Sequence, residues 1–141
     1  MDIIKQAVIE VLLVEDNDFD AKLLADTFKE GSINNRVSRV ANGADAMQFL
    51  FNEGDFKDAP RPDVIILDLN LPKVDGFEVL LEIKKDHKLK DIPVIILTTS
   101  SAEHDKMKSY ELQASCFVTK PQHLSDFVKT VKAIEILWLS K

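Results

Sequence analysis

The run Val64-Ile65-Ile66-Leu67 is apolar at every position and stops at a single carboxylate, Asp68. A strand that is apolar on both faces must be covered on both, which is the situation of a central strand in a parallel sheet flanked by helices. Ending such a strand on Asp68 puts its side chain where open α/β sheets carry their sites, at the carboxyl ends of the strands. Two further runs point to the same edge. Val8 to Val14 leads into Glu15-Asp16, and Cys116-Phe117-Val118-Thr119 leads into Lys120-Pro121. With these strands side by side and parallel, three carboxylates and one ammonium converge.

Segments of helical period alternate with the strand-like runs, so the chain reads as five βα units in one domain over 1–141, with no output domain. Phe19, Leu23, Leu24, Thr27 and Phe28 recur at helix spacing, with Asn17 or Asp18 as N-cap and Gly31 as a stop. Residues 37–41 make a weak second strand, and a helix carrying Ala46, Met47, Phe49 and Leu50 follows Asn42-Gly43. Residues 52–62, with Gly54, Pro60 and Pro62, read as a loop. Beyond Asp68, Pro72 and Gly76 break regular structure before a helix marked by Phe77, Leu80, Leu81 and Ile83.

A fourth strand over 92–97 precedes the hydroxyl cluster Thr98-Thr99-Ser100-Ser101, and a polar helix over about 102–112 leads to the fifth strand at 116–119. The last helix turns Leu124, Phe127, Val128, Val131, Ile134 and Trp138 inward. Ile136, Leu137 and Leu139 add apolar positions beyond that stripe, so the end of this helix is expected to dock on a partner or a second copy.

Composition excludes several functions. Hydrophobic content of 45% with 30% charged residues is that of a globular domain. A net charge of −6, with basic residues interspersed among acids, argues against nucleic-acid binding. Cys116 is the only cysteine, so there is no internal disulfide and no cysteine-based zinc site, and its apolar neighbours make it a core residue. The first six residues lack the basic-then-apolar order of a leader, and no apolar stretch approaches the roughly 20 residues of a membrane helix. The expected location is the cytoplasm, away from membranes. His87, His104 and His123 lack ligand spacing and read as surface residues.

Glu15, Asp16 and Asp68 at close range would repel one another unless a positive charge offsets them. A hard divalent cation does this with carboxylates, a carbonyl and waters, so Mg²⁺ is the expected cofactor, with the Asn70 main-chain carbonyl as a further ligand. Lys120 supplies a second, permanent charge. A carboxylate beside a metal, a lysine and a hydroxyl is suited to accept a phosphoryl group, because that transfer depends chiefly on charge stabilisation. The product is an aspartyl phosphate, whose oxygens can recruit the Thr98 hydroxyl and the Lys120 ammonium.

The order Glu15-Asp16, then Asp68, Pro72 and Gly76, then Thr98, Phe117 and Lys120-Pro121 resembles the receiver domain of two-component response regulators. The segments Leu67 to Lys73 and Leu97 to Ser100, and the last helix with Trp138, are most similar to stand-alone phytochrome-associated response regulators. The resemblance implies a CheY-like, flavodoxin-like (βα)5 fold with strand order 2-1-3-4-5. It makes Asp68 the phosphoacceptor, Glu15 and Asp16 the acidic metal pair with Asp68 and the Asn70 carbonyl, Thr98 the switch hydroxyl and Lys120 the bridging lysine. Phe117 takes the aromatic switch position, where many relatives carry tyrosine.

Asn70 and Ser100, each two residues past a site residue, would tune the lifetime of the phosphoryl group. A cis peptide at Lys120-Pro121 is also implied. The implied partners are a sensor histidine kinase of phytochrome type, a downstream protein target and a second copy. The last would meet through the fourth helix, fifth strand and fifth helix, with Tyr110, Ile136, Leu137 and Trp138 on that face.

Two other readings fit less well. A haloacid-dehalogenase-like phosphatase would place an acid two residues past the nucleophile, and Asn70 stands there. An FMN binder would need a phosphate loop after the first strand, where Glu15-Asp16-Asn17-Asp18 would repel phosphate. The chain is therefore expected to be a phosphoacceptor, with self-phosphorylation and slow autodephosphorylation only, rather than a turnover enzyme.

Overall fold

Residues 8–140 are described in the computed structural model. The first seven residues, which cover the segment read for a leader, and Lys141 lie outside the described residues. The elements alternate as β1 (Ile9–Val14), α1 (Asp18–Glu30), β2 (Asn35–Val40), α2 (Gly43–Leu50), β3 (Val64–Leu67), α3 (Gly76–Lys85), β4 (Val94–Thr98), α4 (Glu103–Glu111), β5 (Cys116–Thr119) and α5 (Leu124–Ile134). A short 3₁₀ turn at Gly54–Phe56 lies in the loop before β3, and a π-helical turn, Glu135–Leu139, extends α5. The strands form one parallel sheet in the order β2-β1-β3-β4-β5. This is the flavodoxin-like arrangement expected.

Side-chain alternation divides the core into two layers. On one face Leu12, Val14, Ile65, Leu67, Val94 and Ile96 pack under α2 and α3. On the other, Val11, Leu13, Val64, Ile66, Ile95 and Leu97 meet Leu24 and Phe28 of α1 and Phe127, Val131 and Ile134 of α5. β3, Val94–Leu97 of β4 and Val11–Val14 of β1 are therefore covered on both faces, which is why these stretches are unbroken apolar runs, while Glu10 near the start of β1 is only half-buried and pairs with Arg36. At the sheet edge β5 is only half covered, and Cys116 is half-buried rather than fully in the core.

The helix ends follow their local chemistry. Asn17 accepts from the Asp20 N–H and caps α1, Asn42 accepts from Asp45 to cap α2, and Asp75 accepts from Phe77 to cap α3. Gly31 ends α1 as its C-cap.

Four positions depart from the helical stripes. Phe19, Leu81 and Leu124 are exposed: Phe19 and Leu124 stand in the first turns of their helices, at the rim of a shallow groove with Pro121 and Phe127, and Leu81 points away from the sheet. Leu139, expected to be surplus, is buried in the core layer that α5 covers with Phe127, Val131 and Ile134. The π-helical turn explains this, since its wider winding places the residue five after Ile134 back over the core. Ile136 and Leu137 stay exposed, as expected, and Trp138 is half-buried against the same layer.

Candidate functional site

The strand register brings the chemistry-bearing residues to one edge. Val14 pairs with Leu67, and the ladder continues one residue further through Asp68 N–H to Val14 O (3.0 Å) and Glu15 N–H to Val40 O (3.0 Å). Thr98 pairs with Thr119, and Lys120 N–H donates to Thr98 O at 2.6 Å. Glu15, Asp68, Thr98 and Lys120 thus stand at the carboxyl ends of four neighbouring strands, and all four are buried. Asp16, one residue on, is exposed.

Glu15, Asp16 and Asp68 each offer a carboxylate oxygen, and these oxygens lie within 4.8 Å of one another. An all-oxygen, anionic donor set of this kind fits a hard divalent cation such as Mg²⁺ or Mn²⁺ and not a thiophilic metal. Lys120 closes the other side. Its Nζ lies 2.6 Å from Glu15 Oε1, 3.0 Å from Asp20 Oδ2 and 3.2 Å from Asp68 Oδ2. The second Asp68 oxygen, Oδ1, accepts from the Asn70 N–H at 3.1 Å.

These contacts set the charges. Burial pushes the Glu15 carboxyl up to about 7, with the Asp68 charge adding to the rise, against the opposing pull of the Lys120 hydrogen bond and charge and of the Asn17 N–H. For Lys120, burial alone would favour the neutral amine, but the Glu15 hydrogen bond and the charges of Asp68 and Glu15 raise it above its ordinary value, so the ammonium is fixed.

The loop after β3 is seated by close packing. A Cβ on Gly76 would come within 2.5 Å of the Asp68 carbonyl oxygen and 2.6 Å of Leu69 Cα, so only glycine lets α3 start directly against the backbone that carries Asp68. Asn70 reaches across this loop, with Nδ2 3.5 Å from both Thr98 Oγ1 and Thr99 Oγ1. Thr98 Oγ1 also accepts from the Ser100 N–H at 3.4 Å.

Ser100 itself faces α4: its Oγ donates to Asp105 Oδ2 at 2.6 Å and accepts from the Ala102 N–H at 3.2 Å. Phe117 is half-buried on the α2/α3 side of the sheet, and its backbone N–H donates to the Tyr110 hydroxyl of α4 at 3.2 Å. The Lys120-Pro121 peptide is trans, correcting the cis expectation, since no cis bond occurs among the described residues. Three carboxylates aim the Lys120 side chain without it.

A family model described as the response regulator receiver domain matches residues 11–132. The chain belongs to the response regulator receiver family. The receiver is 46% identical over 129 residues to the response regulator Rcp1 of Synechocystis sp., covering 92% of this chain and 88% of Rcp1. The Mn²⁺-bound crystal structure of Rcp1 superposes with a TM-score of 0.92 at 45% identity, covering 94% of this chain and 96% of that one. The phosphorylated cyanobacterial phytochrome response regulator RcpA does so with a TM-score of 0.92 at 46% identity, covering 95% and 96%.

Glu15, Asp16, Asp68, Thr98 and Lys120, singled out from sequence, are thus gathered at one edge. Tyr110, Ile136, Leu137 and Trp138 lie on the outer helices instead. Sequence reasoning missed Asp20. It stands in the first turn of α1, where an acid is the ordinary choice, so nothing in the sequence set it apart.

Proposed function

We propose that this receiver is a phosphoryl-accepting switch in the cytoplasm: a sensor histidine kinase donates and Asp68 accepts, in a Mg²⁺-dependent reaction. The observation that carries the reading is the meeting of three carboxylate oxygens within 4.8 Å beside the Lys120 ammonium and the buried Thr98 hydroxyl. An Asp68 oxygen attacks the phosphorus of a phosphohistidine. The new O–P bond forms as the N–P bond breaks, and the electron pair returns to the imidazole, which takes up a proton. Glu15, Asp16 and Asp68, with the Asn70 carbonyl, would hold the cation, which when bound offsets charge on the phosphoryl oxygens.

The protein's own residues supply the response. Lys120 donates to Asp68 and stands ready to donate to a phosphoryl oxygen on it. Thr98 Oγ1 accepts only long hydrogen bonds from Ser100 N–H and Asn70, so its own proton is available to the phosphoryl group. Drawing Thr98 inward pulls the segment that is tied to α4 by the Ser100–Asp105 hydrogen bond. Phe117, without a hydroxyl of its own, is tied to α4 through Tyr110 and follows that movement. Asn70 and Ser100 set the phosphoryl lifetime.

The readout is a change in affinity at the face made by α4, β5 and α5; Tyr110 of α4 is exposed, as are Ile136 and Leu137, which precede the half-buried Trp138 in the chain. A downstream protein or a second copy binds there. Likeness to RcpA, described as a phytochrome response regulator, supports a phytochrome-type kinase as donor. Self-phosphorylation and slow loss of the phosphoryl group are the only chemistry, without turnover of other substrates.

Incubation with Mg²⁺ and acetyl phosphate should add one phosphoryl group by intact mass, and Asp68→Asn or chelation should abolish it. Addition that persists in Asp68→Asn places the acceptor elsewhere.

A further inference from the structure

Lys120 has three ammonium protons, and three carboxylates surround it: Glu15 from the end of β1, Asp68 from the end of β3 and Asp20 from the first turn of α1. Two of these also belong to the group of oxygens that can hold a cation; Asp20 does not. An acidic residue in a first helical turn ordinarily serves the helix dipole alone. Asp18, in the same turn, fits that role, with its side chain 91% exposed and paired with Arg39. Asp20 differs: its side chain is only 23% exposed and turned inward onto Lys120 at 3.0 Å.

We propose that Asp20 is the positioning residue for Lys120, taking a share of the ammonium toward α1 so that Glu15 and Asp68 can yield to the metal and, later, so that the lysine can pass to the phosphoryl group. The proposal rests on the metal and phosphoacceptor reading above. Without the Asp20 carboxylate, the ammonium shares only Glu15 and Asp68, two of the three carboxylates the cation needs, and competes with it. With Asp20 in place one of its three protons is engaged outside the metal set, and the lysine can give up Asp68 without losing all its partners. Asp20 also borders a cavity of ≈ 510 Å³ lined by Thr99, Thr119 and Lys120, so it meets the lysine at the ends of β4 and β5 from the α1 side.

Titration of the full chain with Mg²⁺ alone, followed by calorimetry, tests this in four proteins: wild type, Asp20→Asn, Lys120→Ala and the double variant. Asp20→Asn should weaken Mg²⁺ binding about three- to tenfold in the wild-type background, the range of a single charge-assisted contact. In the Lys120→Ala background the same substitution should have almost no effect. An equal loss in both backgrounds would mean that Asp20 acts on the cation by its own charge, and an unchanged wild-type affinity would mean that it does not act at all; either overturns the proposal. Wild-type protein that takes up no Mg²⁺ overturns the metal reading itself, which separates that failure from this one. Lys120→Gln replaces Lys120→Ala if the latter does not fold.

Discussion

Lys120 Nζ lies closer to Glu15 (2.6 Å) than to Asp68 (3.2 Å), so the resting ammonium is held mainly by the residue at the end of β1. The pair is buried on both sides, which makes its loss asymmetric: removing the cation strands the carboxylates, and a buried charge without a partner is costly. Lys120→Ala should therefore lower stability by roughly 3–5 kcal/mol in chelator. Mg²⁺ should restore the variant far more than it stabilises the wild type, because it supplies the missing charge. Melting curves with and without Mg²⁺ check this; equal shifts in the two proteins would mean that lysine and metal do not compete for the same oxygens.

Gly76 offers a steric test of the same edge. An alanine there would press its Cβ to 2.5 Å from the Asp68 carbonyl, and backbone on both sides leaves no flexible atom to move. Gly76→Ala is expected to cost about 1–3 kcal/mol, the range for overpacking, and to slow phosphoryl uptake by displacing Asp68. Urea denaturation and the rate of mass gain with acetyl phosphate measure the two effects. Stability lost with uptake unchanged would uncouple the loop from the acceptor.

The central strands were legible because burial on both faces leaves no polar position in Val64–Leu67 or Val94–Leu97, and the site was legible because each such run ends in a charged or hydroxyl residue. What escaped depended on geometry that no period encodes. Leu139 turns inward only because α5 widens into a π-helical turn. Phe19 and Leu124 carry the right spacing yet stand too near their helix starts to lie over the sheet. Asp20 looked like any acid in a first turn until the fold brought Lys120, one hundred residues later in the chain, against it.

Tyr110 ties α4 to the edge strand through the Phe117 N–H. Tyr110→Phe keeps the ring and removes that acceptor, so the expected loss is small, about 0.5–1.5 kcal/mol. The decisive readout is local. Amide exchange at Phe117 should quicken in the variant while exchange at buried β3 positions such as Ile66 changes only as global stability does. Unchanged protection at Phe117 would show that the hydroxyl does not hold the edge.

Ile136 and Leu137 expose two large apolar side chains next to Trp138, and the proposed second copy would cover them. Replacing both with serine should leave the melting temperature nearly unchanged, since neither is buried in the single chain, and should lower the apparent mass on sizing of the phosphorylated protein. An elution identical to that of the wild type would remove this end of α5 from any self-association surface.

Glu135 sits in the π-helical turn with its carboxylate against Gly31, where an added Cβ would overlap it, and its Oε2 has no hydrogen-bond partner among the described residues. Burial raises its carboxyl above the ordinary 4.5, with the Lys132 charge on the same helix opposing. Lys29 and Glu30, which precede Gly31 at the end of α1, are both exposed. A carboxyl whose folded pKa is raised favours the folded chain while protonated, so its contribution is present at acid pH and is lost as pH rises through the folded value. At neutral pH the ionised, unpartnered oxygen is then a net cost. Glu135→Gln, a neutral isostere, should stabilise the protein at pH 7 by about 1–3 kcal/mol, a melting-temperature rise of roughly 3–10 °C. The gain should shrink as pH falls toward the ordinary carboxylate range, where wild-type Glu135 is itself neutral. A gain that stays constant with pH would trace the effect to packing on Gly31 instead of charge.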